Sequence, residues 1–152
     1  MIKQEEFLEI NGRKQFISVR SKAEGLPLLL YLHGGPGDAA LPLVRKYNSE
    51  LEKCYTFVVW EQRGAGKSYY PFAENEPVSM RTFVEDIHSL VRYLLRRFGQ
   101  EKLYLLGHSW GSVLGMTYVM QYPQLVHTYL GCGQVLDLQE GARRQYEYAL
   151  LK

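Results

Sequence analysis

Residues 103–111 read Leu-Tyr-Leu-Leu-Gly-His-Ser-Trp-Gly, and this stretch decides how the chain is organised. It begins as a short apolar run that predicts a buried strand and ends in the pattern G-x-S-x-G. A helix rich in small residues (Gly111, Ser112, Gly115) is predicted directly after it. A strand, a tight glycine turn and a helix in this order lift a serine hydroxyl, here that of Ser109, out of the end of a sheet. The pattern alone is weak, because a plain turn with an N-capping serine has the same letters.

Two further glycine-rich segments each follow a predicted apolar strand. The strand at residues 28–32 runs into His-Gly-Gly-Pro-Gly at 33–37, and the strand at 56–60 runs into Glu-Gln-Arg-Gly-Ala-Gly-Lys-Ser at 61–68. Glycines let a backbone approach a ligand closely, and proline stiffens the loop. The sequence therefore predicts three loops of the same kind, each at the end of a strand.

Strands and helices alternate along the chain after an opening hairpin at Asn11-Gly12. This alternation predicts an α/β fold, with a mostly parallel sheet and helices on both faces. In such sheets the working site lies at the carboxyl ends of the strands, where all three glycine loops are expected. The predicted strands are 6–10, 14–20, 28–32, 56–60, 103–106 and 126–130, and the predicted helices are 41–53, 80–98, 110–122 and 137–152.

Composition excludes several classes of partner. Lysine and arginine number 18 against 16 aspartate and glutamate residues, a net charge of +2 that favours neither nucleic acid nor a membrane surface. No apolar run is long enough to span a bilayer, and no signal peptide opens the chain. Cys54 and Cys132 have no metal-like spacing, which predicts two buried free thiols in a reducing cytoplasm.

The segment at 61–68 ends in Gly-Lys-Ser and invites a nucleotide-binding interpretation. The P-loop pattern requires glycine at position 61, where this chain has Glu61. The third glycine of a dinucleotide fingerprint is also missing, because position 69 is Tyr69. We expect Arg63 to tie loops together around the site instead.

Together, the three loops resemble those of the proline iminopeptidase branch of the α/β-hydrolases, which are serine aminopeptidases. That family carries H-G-G-P-G, D-Q-R-G-x-G-x-S and G-x-S-W-G in this order and at similar spacing. The likeness covers about residues 28–122, with Glu61 in place of the family's aspartate. The segment Gly-Cys-Gly-Gln after the last strand is unlike the best-known members, so a broader peptidase or esterase relative stays open.

The resemblance implies Ser109 as nucleophile, with the backbone N–H groups of Trp110 and Gly35 as the oxyanion hole. It implies a small peptide, ester or amide substrate, an acyl-enzyme intermediate, and neither metal nor organic cofactor. The residues expected to support the site loops are His33, Gly34, Pro36, Gly37, Gln62, Arg63, Gly64, Gly107, His108 and Gly111.

The acid and base of the triad follow the serine in this family's chain order, on loops after later strands. The four histidines, His33, His88, His108 and His127, all precede such a position, and we expect each to be structural or exposed. Asp137 is the only aspartate after Ser109. The sequence therefore predicts the N-terminal part of a hydrolase core at 1–135 and the start of a cap helix at 136–152, with late strands and cap absent and little activity alone.

Two other interpretations remain open at this stage. The strand between Val126 and Leu130 would form an open, apolar edge, which favours self-association or a non-catalytic binding and assembly module. An esterase or amidase of the same fold is the other alternative. An epoxide hydrolase or dehalogenase is disfavoured, because those enzymes resemble this pattern with aspartate at the position of Ser109.

Overall fold

The computed structural model describes residues 1–151 and contains one six-stranded sheet. The strands are β1 (Ile2–Ile10), β2 (Arg13–Ser21), β3 (Leu28–Leu32), β4 (Thr56–Glu61), β5 (Leu103–His108) and β6 (Val126–Cys132). The helices are α1 (Leu41–Tyr47), α2 (Met80–Phe98), α3 (Trp110–Gln121) and α4 (Leu138–Leu150). Short 3₁₀ turns occupy Ser49–Lys53, Gly66–Ser68 and Pro123–Leu125.

The order of strands in the sheet is β1-β2-β4-β3-β5-β6. β1 and β2 form the opening hairpin, and β2 pairs antiparallel with β4, whereas β4, β3, β5 and β6 are mutually parallel. The α/β class and the mostly parallel sheet predicted from the alternation are confirmed. The loops after β3, β4 and β5 consequently emerge at the same edge of the sheet.

Helices cover both faces of this sheet. On one face, α2 and α3 pack against a core that includes Leu30, Trp60 and Leu105, all fully buried. On the other face, α1 places Leu41 and Val44 over a smaller apolar cluster. α4 buries none of its residues. The central strands are thus fixed from both sides.

The limits of α2 follow the sequence signals. The Ser79 side chain accepts the N–H of Thr82, and the Thr82 hydroxyl accepts the N–H of Ser79, which together form a capping box. Gly99 ends the helix in the left-handed region, with φ of 63°. Both ends were predicted correctly.

Two expectations were wrong. The predicted helix at 41–53 is broken at Asn48, whose φ and ψ of −116° and 13° end α1 before the 3₁₀ turn. Cys54 and Cys132 are free but exposed, not buried, because one lies in a turn and the other ends the edge strand. Within residues 1–151, no helix is both long and apolar enough to cross a membrane.

Candidate active site

Ser109 lies at the turn between β5 and α3 in a strained backbone conformation. Its φ is 51° and its ψ is −116°, and it shares a positive φ with only one other non-glycine residue among those described, Asn11. Non-glycine residues avoid this region, and such strain concentrates at functional sites. Ser109 is half-buried at this turn and forms the N-cap position of α3.

The glycines on either side of Ser109 are required by close backbone packing. A Cβ atom at Gly111 would lie 2.0 Å from the carbonyl oxygen of Leu32, at the end of β3. A Cβ atom at Gly107 would lie 2.5 Å from the carbonyl oxygen of Gly111. The first turn of α3 therefore rests directly on the neighbouring strand.

Both backbone polar groups of Ser109 are held in place. Its N–H donates to the carbonyl of Cys132, at the end of β6, over 2.9 Å. Its carbonyl oxygen accepts the N–H of Ser112 at 2.8 Å and the Ser112 hydroxyl at 2.6 Å. Trp110 is the first residue of α3, and its N–H has no acceptor within the helix. This N–H is available to a ligand at the start of the helix.

The loop after β3 lies against the serine. A Cβ atom at Gly34 would be 3.3 Å from Cβ of Ser109 and 3.2 Å from Nδ1 of His108. Gly35 has a φ of 108° and precedes a cis peptide bond to Pro36. Gly35, Pro36 and Gly37 are exposed, whereas Gly34 is buried. The structure thus brings the first and third glycine loops into contact.

His33 links the first loop to the second. Its ring is fully buried, its Nδ1 lies 2.8 Å from the carbonyl oxygen of Gly34, and its Nε2 lies 3.0 Å from the backbone nitrogen of Gln62. The Gln62 N–H can only donate, so Nε2 accepts and the neutral ring carries its proton on Nδ1. Burial lowers the pKa of His33, which agrees with a neutral ring. His33 is therefore a structural link and not a base for Ser109.

Arg63 is anchored to α2 and to the hairpin turn. Its Nε and Nη2 each donate to Asp86 at 2.8 Å, and Nη2 also lies 3.5 Å from the carbonyl of Asn11. The hydrogen bonds to Asp86 raise the pKa of the Arg63 guanidinium above its usual range. Arg63 thereby fixes the loop after β4 to α2 and to the β1–β2 hairpin.

Glu61, where the resembled loop pattern has aspartate, closes the loop after β4 on itself. Its carboxylate accepts the N–H of Lys67 at 2.6 Å and lies against Gly66, where a Cβ atom would be 2.5 Å from the carboxyl carbon. Gly64 is similarly crowded, because a Cβ atom there would be 2.6 Å from the Phe72 ring. The longer acid is accommodated by the missing side chain at Gly66.

The remaining histidines lie apart from Ser109 or point to solvent. His88 stacks on Tyr122 between α2 and α3, with a centroid separation of 4.1 Å, and burial lowers its pKa. His127 is exposed on β6, and His108 is exposed beside Ser109. In the described part of the chain, Ser109 Oγ forms no hydrogen bond with an imidazole, and no imidazole forms one with a carboxylate.

Asp137 serves as the N-cap of α4. Its carboxylate accepts the N–H of Glu140 at 2.9 Å. Across residues 1–151, no cluster of three or more histidine, cysteine or acidic side chains could hold a metal ion. Among residues 1–151, the turn that carries Ser109 thus has no hydrogen-bonded pair of a histidine and a carboxylate around it.

Sequence reasoning missed two residues that support the site. Asp86 is a fully buried carboxylate on the apolar face of α2, and a charge among Ile87 and Leu90 was a signal that a buried cation faces it. Ser112 was noticed only as a small residue, although its hydroxyl contacts the carbonyl of Ser109. Hydrogen bonds from a helix to the backbone of its own first turn leave little trace in sequence.

Comparison with known proteins places this geometry in a family. A sequence profile described as the alpha/beta hydrolase fold matches residues 27–148. The "Probable aminopeptidase YbaC" of Bacillus subtilis (strain 168) is 39% identical over 141 residues, which cover 93% of this chain and 44% of that protein. The proline iminopeptidase of Neisseria gonorrhoeae is 36% identical over 104 residues, or 68% of this chain and 31% of that protein.

Solved structures show the same fold. The proline iminopeptidase-related protein of Thermus thermophilus superposes with a TM-score of 0.72 and 24% identity, over 86% of this chain and 44% of that one. Epoxide hydrolase A of Mycobacterium thermoresistibile superposes with a TM-score of 0.70 and 26% identity, over 95% of this chain and 45% of that one. The chain thus spans less than half the length of the relatives it matches.

Proposed function

The chain belongs to the alpha/beta hydrolase fold family, and on that premise we propose that it forms the nucleophile half of a serine aminopeptidase of the proline iminopeptidase type. Its substrates are small peptides, from which it releases the N-terminal residue. The observation that carries the proposal is the strained backbone of Ser109, with φ of 51°, in contact with the glycine loop after β3 at the carboxyl ends of the parallel strands. The similarity to proteins named aminopeptidase and proline iminopeptidase supports the substrate class.

The proposed chemistry is acyl transfer through Ser109. Its Oγ attacks the carbonyl carbon of the N-terminal residue while a general base takes its proton. The backbone N–H groups of Trp110 and Gly35 stabilise the oxyanion of the tetrahedral intermediate, where one such donor contributes about 3–4 kcal/mol. The proton then passes to the leaving amine, and water releases the acyl group from Ser109.

The general base and its acid come from outside residues 1–151. Support for this step is the placement of the four histidines, because none bonds to Ser109 Oγ or to a carboxylate. A serine hydrolase without its triad partners retains only oxyanion-hole and binding contributions, about 10³–10⁴-fold over water. The chain by itself is therefore close to inactive.

A cytoplasmic location is also proposed, because Cys54 and Cys132 are free thiols.

Turnover of chromogenic amides tests the proposal. The 152-residue chain is incubated with the p-nitroanilides of proline and alanine and with p-nitrophenyl acetate, beside a Ser109→Ala variant. We expect no rapid turnover of the amides and at most weak hydrolysis that is similar in the two proteins, because oxyanion-hole and binding contributions do not need the Ser109 hydroxyl. Rapid turnover of the amides would contradict the claim that the general base lies outside residues 1–151. Rapid hydrolysis of the ester alone would favour an esterase. Rapid turnover that persists in Ser109→Ala would overturn the role of Ser109.

A further inference from the structure

The hydroxyl of Ser112 lies one turn along α3 from the nucleophile and is fully buried. Its oxygen is 2.6 Å from the carbonyl oxygen of Ser109 and 3.0 Å from the backbone nitrogen of Val135. An N–H group can only donate, so the Ser112 hydroxyl accepts a hydrogen bond from the N–H of Val135. Its own single hydrogen is then donated to the carbonyl oxygen of Ser109. The Ser112 proton therefore has one position, and a directed chain of hydrogen bonds runs from Val135 to Ser109.

The carbonyl of Ser109 and the N–H of Trp110 belong to one planar peptide group. Holding the oxygen of this group therefore also sets the direction of the N–H at its other end. The same oxygen accepts the backbone N–H of Ser112 at 2.8 Å, so two hydrogen bonds converge on it. Hydrogen bonds in a chain polarise one another, so bonds at the oxygen strengthen the N–H as a donor.

We infer that Ser112 is a positioning residue for the oxyanion hole. Its hydroxyl orients and polarises the Ser109–Trp110 peptide, whose N–H binds the developing negative charge. The inference rests on the proposed function, which gives Trp110 that role. Ser112 itself contacts neither substrate nor the reacting oxygen.

The segment that follows β6 completes this arrangement. The Tyr129 hydroxyl lies 2.9 Å from the carbonyl oxygen of Ser112 and 2.6 Å from Oε1 of Gln134, two acceptors that share its one proton. Its ring lies against α3, where a Cβ atom at Gly115 would be 2.5 Å away. The amide of Gln134 also approaches the Ser112 carbonyl, at 3.4 Å. These contacts keep the N–H of Val135 within hydrogen-bond distance of the Ser112 hydroxyl. The loop leading to α4 thereby contributes to the geometry of the oxyanion hole.

Ser112→Ala tests the inference, with Thr117→Val as its matched control. Thr117 lies on the same helix, and its hydroxyl donates only to the carbonyl of Val113, at 2.8 Å. Both variants delete one hydroxyl from α3, but only Ser112→Ala removes a hydrogen bond from the Ser109–Trp110 peptide. Any general weakening of the helix should affect both variants.

The first readout is the amide NMR spectrum, which does not depend on activity. The ¹⁵N shift of an amide responds to hydrogen bonding at the carbonyl of its own peptide group. In Ser112→Ala we expect the Trp110 nitrogen signal to move upfield and the Val135 amide to exchange faster with D₂O. Thr117→Val should change neither. Unchanged Trp110 and Val135 signals in Ser112→Ala would overturn the inference whatever the activity of Ser109.

The second readout is the affinity for phenylboronic acid, followed by ¹¹B NMR. The Oγ of Ser109 bonds to boron and releases its proton to solvent, which places a boron-bound oxygen in the oxyanion hole. Loss of one hydrogen bond in the chain should weaken the adduct about fivefold to tenfold in Ser112→Ala, with Thr117→Val unaffected. Equal affinity in wild type and Ser112→Ala would contradict the positioning role. An adduct that persists in Ser109→Ala would instead contradict the proposed function.

Discussion

Arg63 and Asp86 form a buried ion pair through two hydrogen bonds of 2.8 Å, from Nε to Oδ2 and from Nη2 to Oδ1. The carboxylate of Asp86 also accepts the side-chain amides of Gln15 and Asn11, each at 2.8 Å. One carboxylate thus joins the loop after β4 to α2 and to the β1–β2 hairpin. The loop after β4 also contacts His33 through the backbone N–H of Gln62, so the position of His33 depends on this connection.

Asp86→Ala should strongly destabilise the fold. The change removes both hydrogen bonds of the buried Arg63 guanidinium to Asp86 and leaves only the looser ion pair with Glu76 at 4.0 Å; breaking a buried pair typically costs about 3–5 kcal/mol. The matched control is Glu85→Ala, which breaks the exposed pair of Glu85 with Arg81 on the same helix and should cost under about 1 kcal/mol. Urea denaturation measures both free energies of unfolding. Similar losses in the two variants would refute the anchoring role of Asp86.

Gly111→Ala should disrupt the packing of α3 on β3. The new Cβ atom would lie 2.0 Å from the carbonyl oxygen of Leu32, and backbone cannot yield as a side chain can. We expect a loss of at least about 3 kcal/mol in the free energy of unfolding. Gly141→Ala in α4 has open space around its Cβ atom and should stabilise by about 0.5–1 kcal/mol. A well-folded Gly111→Ala protein of normal stability would contradict the close contact.

Because His33 is buried and neutral, the free energy of unfolding should fall as the pH is lowered. Burial lowers the pKa of His33 from 6.5 in the folded chain, so below about pH 6.5 the unfolded chain binds a proton that the folded chain does not. The contribution is complete above pH 6.5, and the free energy of unfolding falls by up to about 1.4 kcal/mol per pH unit below it.

His33→Asn isolates this effect, since asparagine keeps a donor for the carbonyl of Gly34. His88 also has its pKa lowered by burial and gives a slope of the same sign in both proteins. Urea melts between about pH 7.5 and 5 should therefore show a shallower pH slope in His33→Asn than in wild type. Parallel slopes would show that His33 is not the buried neutral group described.

The edge strand β6 should promote self-association. It carries no lysine, arginine, aspartate or glutamate and exposes Leu130, whereas the opposite edge strand, β1, bears Lys3, Glu5, Glu6 and Glu9. Charges on an edge strand discourage pairing with another chain. Leu130→Lys should shift the chain towards monomer in sedimentation velocity, and Asn75→Lys, with the same added charge in an exposed loop, should not. Equal behaviour of the two variants would exclude the edge as the contact.

Much of this fold could be predicted from local signals. The apolar runs before the three glycine loops marked β3, β4 and β5, and the signals at Ser79 and Gly99 set both ends of α2. The predicted helix at 41–53 failed because a single polar residue, Asn48, ended it in a conformation that periodicity does not report. Cys132 was misplaced because burial at an edge strand depends on what pairs with that edge, and Cys54 because it lies in an exposed turn.

The candidate site was only partly visible in the sequence. The positions of Ser109, Gly34 and His33 relative to one another follow from the parallel order of the strands, which the alternation predicts. The contacts of Asp86 and Ser112 depend on how α2 and α3 rotate against the sheet, and no local pattern encodes that rotation. Residues separated by 23 positions, as are Arg63 and Asp86, meet only in the folded chain.

Mapping of a fluorophosphonate adduct is the most direct test of the central claim that Ser109 is the nucleophile. The chain and its Ser109→Ala variant are treated with the probe over a long incubation, digested with trypsin and analysed by tandem mass spectrometry. The account predicts slow labelling of one residue, Ser109, and no such adduct in the variant. Labelling that is spread over tyrosines, or that proceeds equally in Ser109→Ala, would contradict it.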